Sequence, residues 1–130
     1  MTSMTAIRIG DVLTRPKAAG FVTHAAVAIW NGLVLHNTPE KGEHAATVRE
    51  FAAGGRVTVH HTGMDPSVAA ARAHSVLANP QGYDPIKNNC EHTVTKVVHG
   101  KAWSPQVKAI LAVVIVAMVA GLLWLLLRRR

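Results

Sequence analysis

The chain contains a single cysteine, Cys90, in the run Asn88-Asn89-Cys90-Glu91-His92, where a polar loop gives way to a helical pattern. Backbone N–H groups in the first turn of a helix can lower the pKa of a thiol and favour the nucleophilic thiolate. The same groups can hold an oxyanion. Two upstream histidines, His24 and His36, are candidates for the base that takes the thiol proton and for the group that orients this base. These residue types predict nucleophilic thiol chemistry.

The predicted cysteine helix starts near Asn89, which is a good N-cap, and ends by His99-Gly100. Cys90 shares one helical face with Val94, Val97 and Val98, so it points toward the core. A buried lone cysteine is usually a small core residue, and this alternative stays open.

The two histidines lie on a predicted hairpin whose turn contains Asn31-Gly32. With a two-residue loop, His36 falls opposite Val27 and the histidines lie on different faces of the sheet. With a three-residue loop that includes Trp30, His36 falls opposite Ala26 and the histidines share a face. A left-handed Gly32 is what the three-residue loop requires. If the histidines cooperate, we expect the three-residue loop.

The remaining pattern predicts an α+β domain with an antiparallel sheet, because strands come first and helices follow. We expect strands at residues 7–14, 21–29, 33–37 and 56–60, a loop at 40–43, and an ambiguous segment at 45–53 that can hold a short strand. Asp65-Pro66 is an N-cap and first-turn proline that start a helix running to about Ala78.

Residues 109–127 form an apolar run without a charged side chain, followed by three arginines. About 19 apolar residues are enough to cross the bilayer core as a helix. We therefore expect a domain at residues 1–106 and a membrane anchor with a basic tail at residues 107–130. Basic residues flank both ends of the run, so the positive-inside rule leaves its orientation open. A lone thiol favours a cytosolic domain.

Charge and composition indicate which classes of partner the chain is expected to bind. Three charges of the net +7 belong to the terminal arginines, and the other Lys and Arg residues are scattered, which argues against nucleic acid. Phospholipid and a membrane surface are the expected partners. Ala117 and Gly121, small residues four positions apart in the apolar run, are a weak signal for helix pairing, so the oligomeric state stays open.

Because the chain has no ligand pair at zinc-finger spacing, we expect no metal and no cofactor. Five histidines are expected to be solvated: His44, His60, His61, His74 and His99.

The segment from His24 to His36, His-Ala-Ala-Val-Ala-Ile-Trp-Asn-Gly-Leu-Val-Leu-His, together with the later Asn-Cys-Glu-His box, resembles the lecithin retinol acyltransferase family. The branch it is most similar to is the small phospholipase A/acyltransferases, which also carry a C-terminal apolar anchor. Ala25, Trp30 and Thr93 depart from the family pattern at positions that concern packing and the acyl pocket.

The resemblance implies a permuted papain-like fold with Cys90 as nucleophile, His24 as general base and His36 as its orienter. It implies cleavage of glycerophospholipid acyl esters through an acyl-thioester, with water, an amine or a lysolipid as acceptor. Two alternatives stay open. One is an NlpC-like cysteine peptidase or amidase, and the other is a non-catalytic tail-anchored protein that remodels membranes.

Overall fold

The computed structural model describes residues 6–17 and 22–129, and these residues form an antiparallel sheet with four helices. The strands are β1 (Val12–Pro16), β2 (Thr23–Ala28), β3 (Leu33–Thr38), β4 (Gly42–Thr47) and β5 (Thr58–His60). The helices are α1 (Val48–Ala52), α2 (Pro66–Ala78), α3 (Cys90–Val98) and α4 (Pro105–Arg128). The strands lie in the order β4-β3-β2-β1-β5, and every neighbouring pair is antiparallel. The predicted α+β class with an antiparallel sheet is confirmed.

Both faces of the sheet are covered, and the alternation of side chains along β2 decides what each residue contacts. Ala25 and Val27 pack against buried alanines of α2 and valines of α3. Ala26 and Ala28 belong to a second cluster on the other face, around the fully buried Phe51 of α1. The domain therefore has one apolar layer on each side of a single sheet.

The helix starts follow from their capping residues. The Asp65 side chain accepts a hydrogen bond from the backbone N–H of Ser67, and Pro66 occupies the first turn, so α2 begins and ends where the sequence predicts. Helix α1 was not predicted as a helix. It begins with a capping box in which the side chains of Thr47 and Glu50 each accept from the other residue's backbone N–H.

Several boundaries differ from the predicted ones. Strand β1 lies at Val12–Pro16, later than the predicted 7–14. The predicted loop at 40–43 overlaps the start of β4, since Gly42 and Glu43 already pair with β3. The segment 45–53 contains the end of β4 and then α1. Phe21, the predicted start of the second strand, lies outside the described residues.

Helix α4 is 24 residues long and has a mean hydropathy of 3.0 in its most apolar stretch, with none of that stretch buried. At about 1.5 Å of rise per residue, it is long enough to span the hydrocarbon core of a bilayer. It starts at Pro105, so the predicted domain boundary after residue 106 falls within its first turn.

Candidate functional site

Cys90 is the first residue of α3, immediately after the N-cap Asn89. The Asn89 side chain accepts hydrogen bonds from the backbone N–H groups of Glu91 and His92, and the His92 ring accepts one from the backbone N–H of Asn89. This capping box fixes the first turn, so the position of Cys90 on its helix is the predicted one. The Cys90 residue is only 5% exposed.

The ionisation of Cys90 differs from the sequence expectation. Burial raises the pKa of the thiol, because a desolvated thiolate is unfavourable. The backbone N–H groups of Ala25 and Glu91 and the charge of Lys17 act in the opposite direction, and their effect on the pKa is smaller than that of burial. Cys90 is therefore a protonated thiol at neutral pH.

The hairpin has the three-residue turn, as the cooperation of the two histidines requires. A 3₁₀ turn at Trp30–Gly32 connects β2 and β3, and Asn31 and Gly32 both have positive φ, of 56° and 70°. The observed pairs, Val27 with Leu35 and Ala28 with Val34, continue to place His36 opposite Ala26. Both histidines consequently lie on the Phe51 face of the sheet.

The two imidazoles are in direct contact. His24 Nε2 and His36 Nδ1 lie 3.0 Å apart, and both residues are buried, at 3% and 5% exposure. The His24 ring stacks on Phe51 at a centroid distance of 5.3 Å, which holds its plane. The sequence argument for a cooperating pair therefore gives the correct register and face.

A third histidine joins this pair. His44 Nε2 lies 2.9 Å from His36 Nε2, because β3 and β4 pair His36 directly with His44. His44 was predicted to be a solvated residue, and that expectation is wrong for its ring. His44 and Ala46 are two residues apart, as residues on one face of a strand are, and this spacing could have indicated the strand. The polar residues just before them are typical of a loop and hide that pattern.

Burial keeps the imidazole pair neutral. Desolvation, reinforced by the neighbouring histidine and by Arg15, lowers the pKa of His24 to about 3. Desolvation, with the charges of His44 and Arg15, lowers the pKa of His36 to about 4. Both rings are therefore neutral at pH 7, and each has one nitrogen that carries no proton.

The structure does not join the thiol to the imidazoles. All three residues are described, and no hydrogen bond connects Cys90 to His24 or His36. Helix α3 packs on the Ala25 face of β2, whereas the His24 ring stacks on Phe51 on the other face. Cys90 does contact the backbone N–H of Ala25, the residue next to His24. Cys90 of α3 thus lies beside Ala25, whereas the ring of the adjacent residue His24 lies on the opposite face of β2.

Cys90 lines an open pocket of about 170 Å³. One wall of this pocket consists of Val107 and Ile110, which belong to the first turns of α4. Tyr83 and Val22 extend the lining, and Lys17 provides a cation. The pocket is therefore a mostly apolar space that connects Cys90 with the base of the apolar helix.

The same first turn of α3 binds the start of α4. The Glu91 carboxylate accepts hydrogen bonds from the Ser104 hydroxyl and from the backbone and side-chain N–H groups of Gln106. Ser104 is buried, at 2% exposure, and caps α4 through the backbone N–H of Val107. The link between domain and apolar helix is consequently held against the cysteine helix.

A buried ion pair holds the middle of α3 against the sheet. Lys96 of α3 donates to a carboxylate oxygen of Glu43 at 2.5 Å, and Thr93 donates to the same oxygen at 2.8 Å. The second oxygen of Glu43 accepts from the backbone N–H of Gln81. The Glu43 side chain is 1% exposed and that of Lys96 is 22% exposed. This network fixes α3, and with it Cys90, relative to β4.

The other histidines lie apart from this site. His61 Nδ1 pairs with a carboxylate oxygen of Asp11 at 2.8 Å, and His60 contacts the hydroxyl of Thr14. His74 and His99 are exposed and stand beside tryptophans. Within residues 6–17 and 22–129, no three His, Cys, Asp or Glu side chains are grouped closely enough to hold a metal ion.

No protein-family model matches the chain, and no curated protein matches its sequence.

The buried imidazoles predict an acid-sensitive fold. The pKa values of His24 and His36, about 3 and about 4, lie below the ordinary 6.5, so the unfolded chain binds more protons between these values. Stability is fully present above pH 6.5 and falls as the pH drops toward 3. Urea unfolding between pH 7 and about 5.5, where histidines titrate and carboxylates stay largely ionised, measures this. We expect the double variant His24→Phe, His36→Leu to have a flatter pH dependence, and an equal slope in both proteins would contradict the assignment.

Proposed function

We propose that the protein is a membrane-anchored thiol phospholipase A/acyltransferase with a permuted papain-like fold, related to the lecithin retinol acyltransferase family. One observation carries the proposal: the pocket that contains the Cys90 thiol has Val107 and Ile110 of α4 as a wall. If α4 lies in a bilayer, an acyl chain that leaves the bilayer along this wall arrives at the thiol without crossing water. A peptide substrate gains nothing from this arrangement, so a lipid ester is favoured over an NlpC-like reaction.

The resting site is a neutral thiol beside neutral imidazoles, so the proposed reaction uses general-base catalysis. His24 Nδ1 accepts the thiol proton while Cys90 Sγ bonds to the ester carbonyl carbon. The carbon–oxygen ester bond then breaks, and the protonated His24 returns the proton to the departing alcohol, which leaves as a lysolipid. Water, an amine or a lysolipid hydroxyl attacks the thioester next, with His24 again as base.

Backbone N–H groups supply the electrostatic part of the proposal. The N–H groups of Ala25 and Glu91 face the sulfur, and that of Cys90 belongs to the same unpaired first turn. Groups of this kind stabilise the negative oxygen of a tetrahedral intermediate when they lie about 3 Å from it. Lys17 lies on the pocket wall, where an ammonium group suits a lipid phosphate.

The reaction requires His24 to reach the thiol. His24 Nδ1 is buried and has no hydrogen-bond partner among the described residues, which is the state expected of a base awaiting its donor. Because the His24 ring and the thiol lie on opposite faces of β2, the proposed transfer requires a rearrangement of β2 or of the start of α3 that brings the two groups to one face. Catalytic hydrogen bonds are commonly incomplete before substrate binds.

One observation favours a second function, a non-catalytic tail-anchored protein. Cys90 is buried with a raised pKa and makes no hydrogen bond to an imidazole, as a small core residue does. In either function the apolar helix serves as anchor, with the thiol domain on the reducing, cytosolic side.

An acyl adduct on Cys90 distinguishes these functions. The full chain in detergent is mixed briefly with phosphatidylcholine, quenched in acid and weighed intact, beside Cys90→Ala. We expect a mass increase of one fatty acyl group in the wild type, reversed by hydroxylamine, and none in the variant. A muropeptide in place of lipid should leave the mass unchanged. Fatty acid release that persists in Cys90→Ala, or a wild type that never acquires the adduct while its anchor inserts, contradicts the proposal.

A further inference from the structure

Three imidazoles form a continuous chain that ends on a backbone carbonyl. His44 Nδ1 lies 2.8 Å from the Gly42 carbonyl oxygen, and His44 Nε2 lies 2.9 Å from His36 Nε2. His36 Nδ1 in turn lies 3.0 Å from His24 Nε2. Each ring therefore uses a different nitrogen for each of its neighbours, and this hydrogen-bonded series of rings crosses β4, β3 and β2.

The carbonyl determines where every proton in this chain lies. A carbonyl oxygen only accepts, so His44 Nδ1 must donate to it, and a neutral His44 then has a bare Nε2. His36 Nε2 must donate to that atom, which leaves His36 Nδ1 bare. His24 Nε2 must then donate to His36 Nδ1. One tautomer of each ring satisfies all three contacts.

His24 and His36 stay neutral at pH 7, as this proton order requires. Arg15 and Lys17 disfavour a charge on His24, and Arg15 and Lys41 disfavour one on His36. The Glu50 carboxylate opposes this at His36, and its effect is the smallest. Desolvation exceeds each of these contributions for both rings.

The far end of this series of rings is His24 Nδ1, which the proton order leaves as a bare lone pair, buried and without a hydrogen-bond partner in residues 6–17 and 22–129. We propose that His44 is a positioning residue: by donating to Gly42 and accepting from His36, it fixes the tautomers so that His24 Nδ1 is a proton acceptor. The role of that acceptor in thiol activation rests on the proposed function, whereas the order of the protons does not.

The Gly42 carbonyl is itself held in place. Gly42 has a φ of 68°, in the left-handed region, and a Cβ there would lie 2.8 Å from the carbonyl oxygen of Gln81. The next residue, Glu43, donates its backbone N–H to the same Gln81 oxygen at 3.0 Å. The start of β4 is thus packed against the loop before α3, which keeps the terminal acceptor fixed.

The tautomers can be read by ¹⁵N NMR of the histidine rings in the full-length protein in detergent micelles at pH 7. We expect the proton on Nε2 in His24 and His36 and on Nδ1 in His44. In His44→Phe, which keeps a ring and removes the acceptor, we expect a mixed tautomer signal at His24. In His44→Gln, whose side-chain oxygen can accept from His36, we expect the wild-type signal at His24. His74→Phe, on an exposed ring outside the chain, is the matched control.

The kinetic readout separates positioning from a loss of folding. Acylation of Cys90 is expected to slow by about 10–100-fold in His44→Phe, as for other outer partners that orient a histidine, with KM unchanged and recovery in His44→Gln. A wild-type His24 that carries its proton on Nδ1, or a His44→Phe variant with unaltered His24 tautomer, overturns the inference. If neither protein forms an acyl adduct while the proton order is as stated, the proposed function fails and the tautomer assignment stands.

Discussion

Replacing His24 with alanine is expected to slow acylation of Cys90 by about 10²–10⁴-fold, the range that one general base contributes. The reason is the ionisation of the site. Burial raises the pKa of the thiol, so little thiolate exists at neutral pH without a base. A preformed thiolate–imidazolium pair would need a His24 pKa near or above neutral, whereas burial lowers it to about 3. The measurement is the rate of adduct formation in detergent–phosphatidylcholine micelles.

Imidazole rescue is the control for this variant. His24→Ala leaves a ring-sized space beside Phe51, so added imidazole should restore part of the rate there. His24→Phe fills the same space without a lone pair, so imidazole should leave its rate low. His74→Ala, at an exposed position, should react at the wild-type rate. Full acylation in both His24 variants would show that the thiol is activated by another group, or by its helix terminus alone.

The link between the length of the turn and the faces of the two histidines could be predicted because it depends on local information. Asn31-Gly32 specifies a tight turn, and the number of turn residues determines which side chains share a face. The start of α3 could be predicted for the same reason, since Asn89 caps it through bonds to residues two and three positions later.

The features that sequence reasoning missed depend on contacts between distant segments. The pKa of Cys90 follows from how deeply α3 is packed against β2, and a helix terminus alone gives the opposite direction. His44 belongs to the site because β4 pairs with β3, and the polar residues at its start resemble a loop. Which face of β2 the thiol meets is likewise a tertiary property, and the motif order does not contain it.

Removing the Lys96 side chain is expected to have a large effect on the stability of the fold. Lys96→Met should lower the free energy of unfolding by about 3–5 kcal/mol at pH 7, because it leaves the carboxylate of Glu43 buried and uncompensated. Removing the carboxylate instead should cost less, since Lys96 is 22% exposed and keeps its bond to Asn88 Oδ1 at 2.9 Å. The two single variants should differ because the Glu43 side chain is only 1% exposed, so an unpaired charge costs more there than on the more exposed Lys96.

The pH dependence distinguishes an uncompensated charge from a packing defect. A buried carboxylate without a counterion is destabilising only while it is ionised, so acidification should relieve this cost in Lys96→Met. The gap in stability between Lys96→Met and wild type should therefore shrink as the pH falls, whereas a packing defect would persist. Adding Glu43→Gln to Lys96→Met should recover part of the loss at pH 7, and Lys101→Met, at an exposed lysine, should cost almost nothing. Urea unfolding in nanodiscs, followed by tryptophan fluorescence, measures all four proteins. A pH-independent gap would assign the effect to packing, and the ion pair would then have no part in holding Cys90 in place.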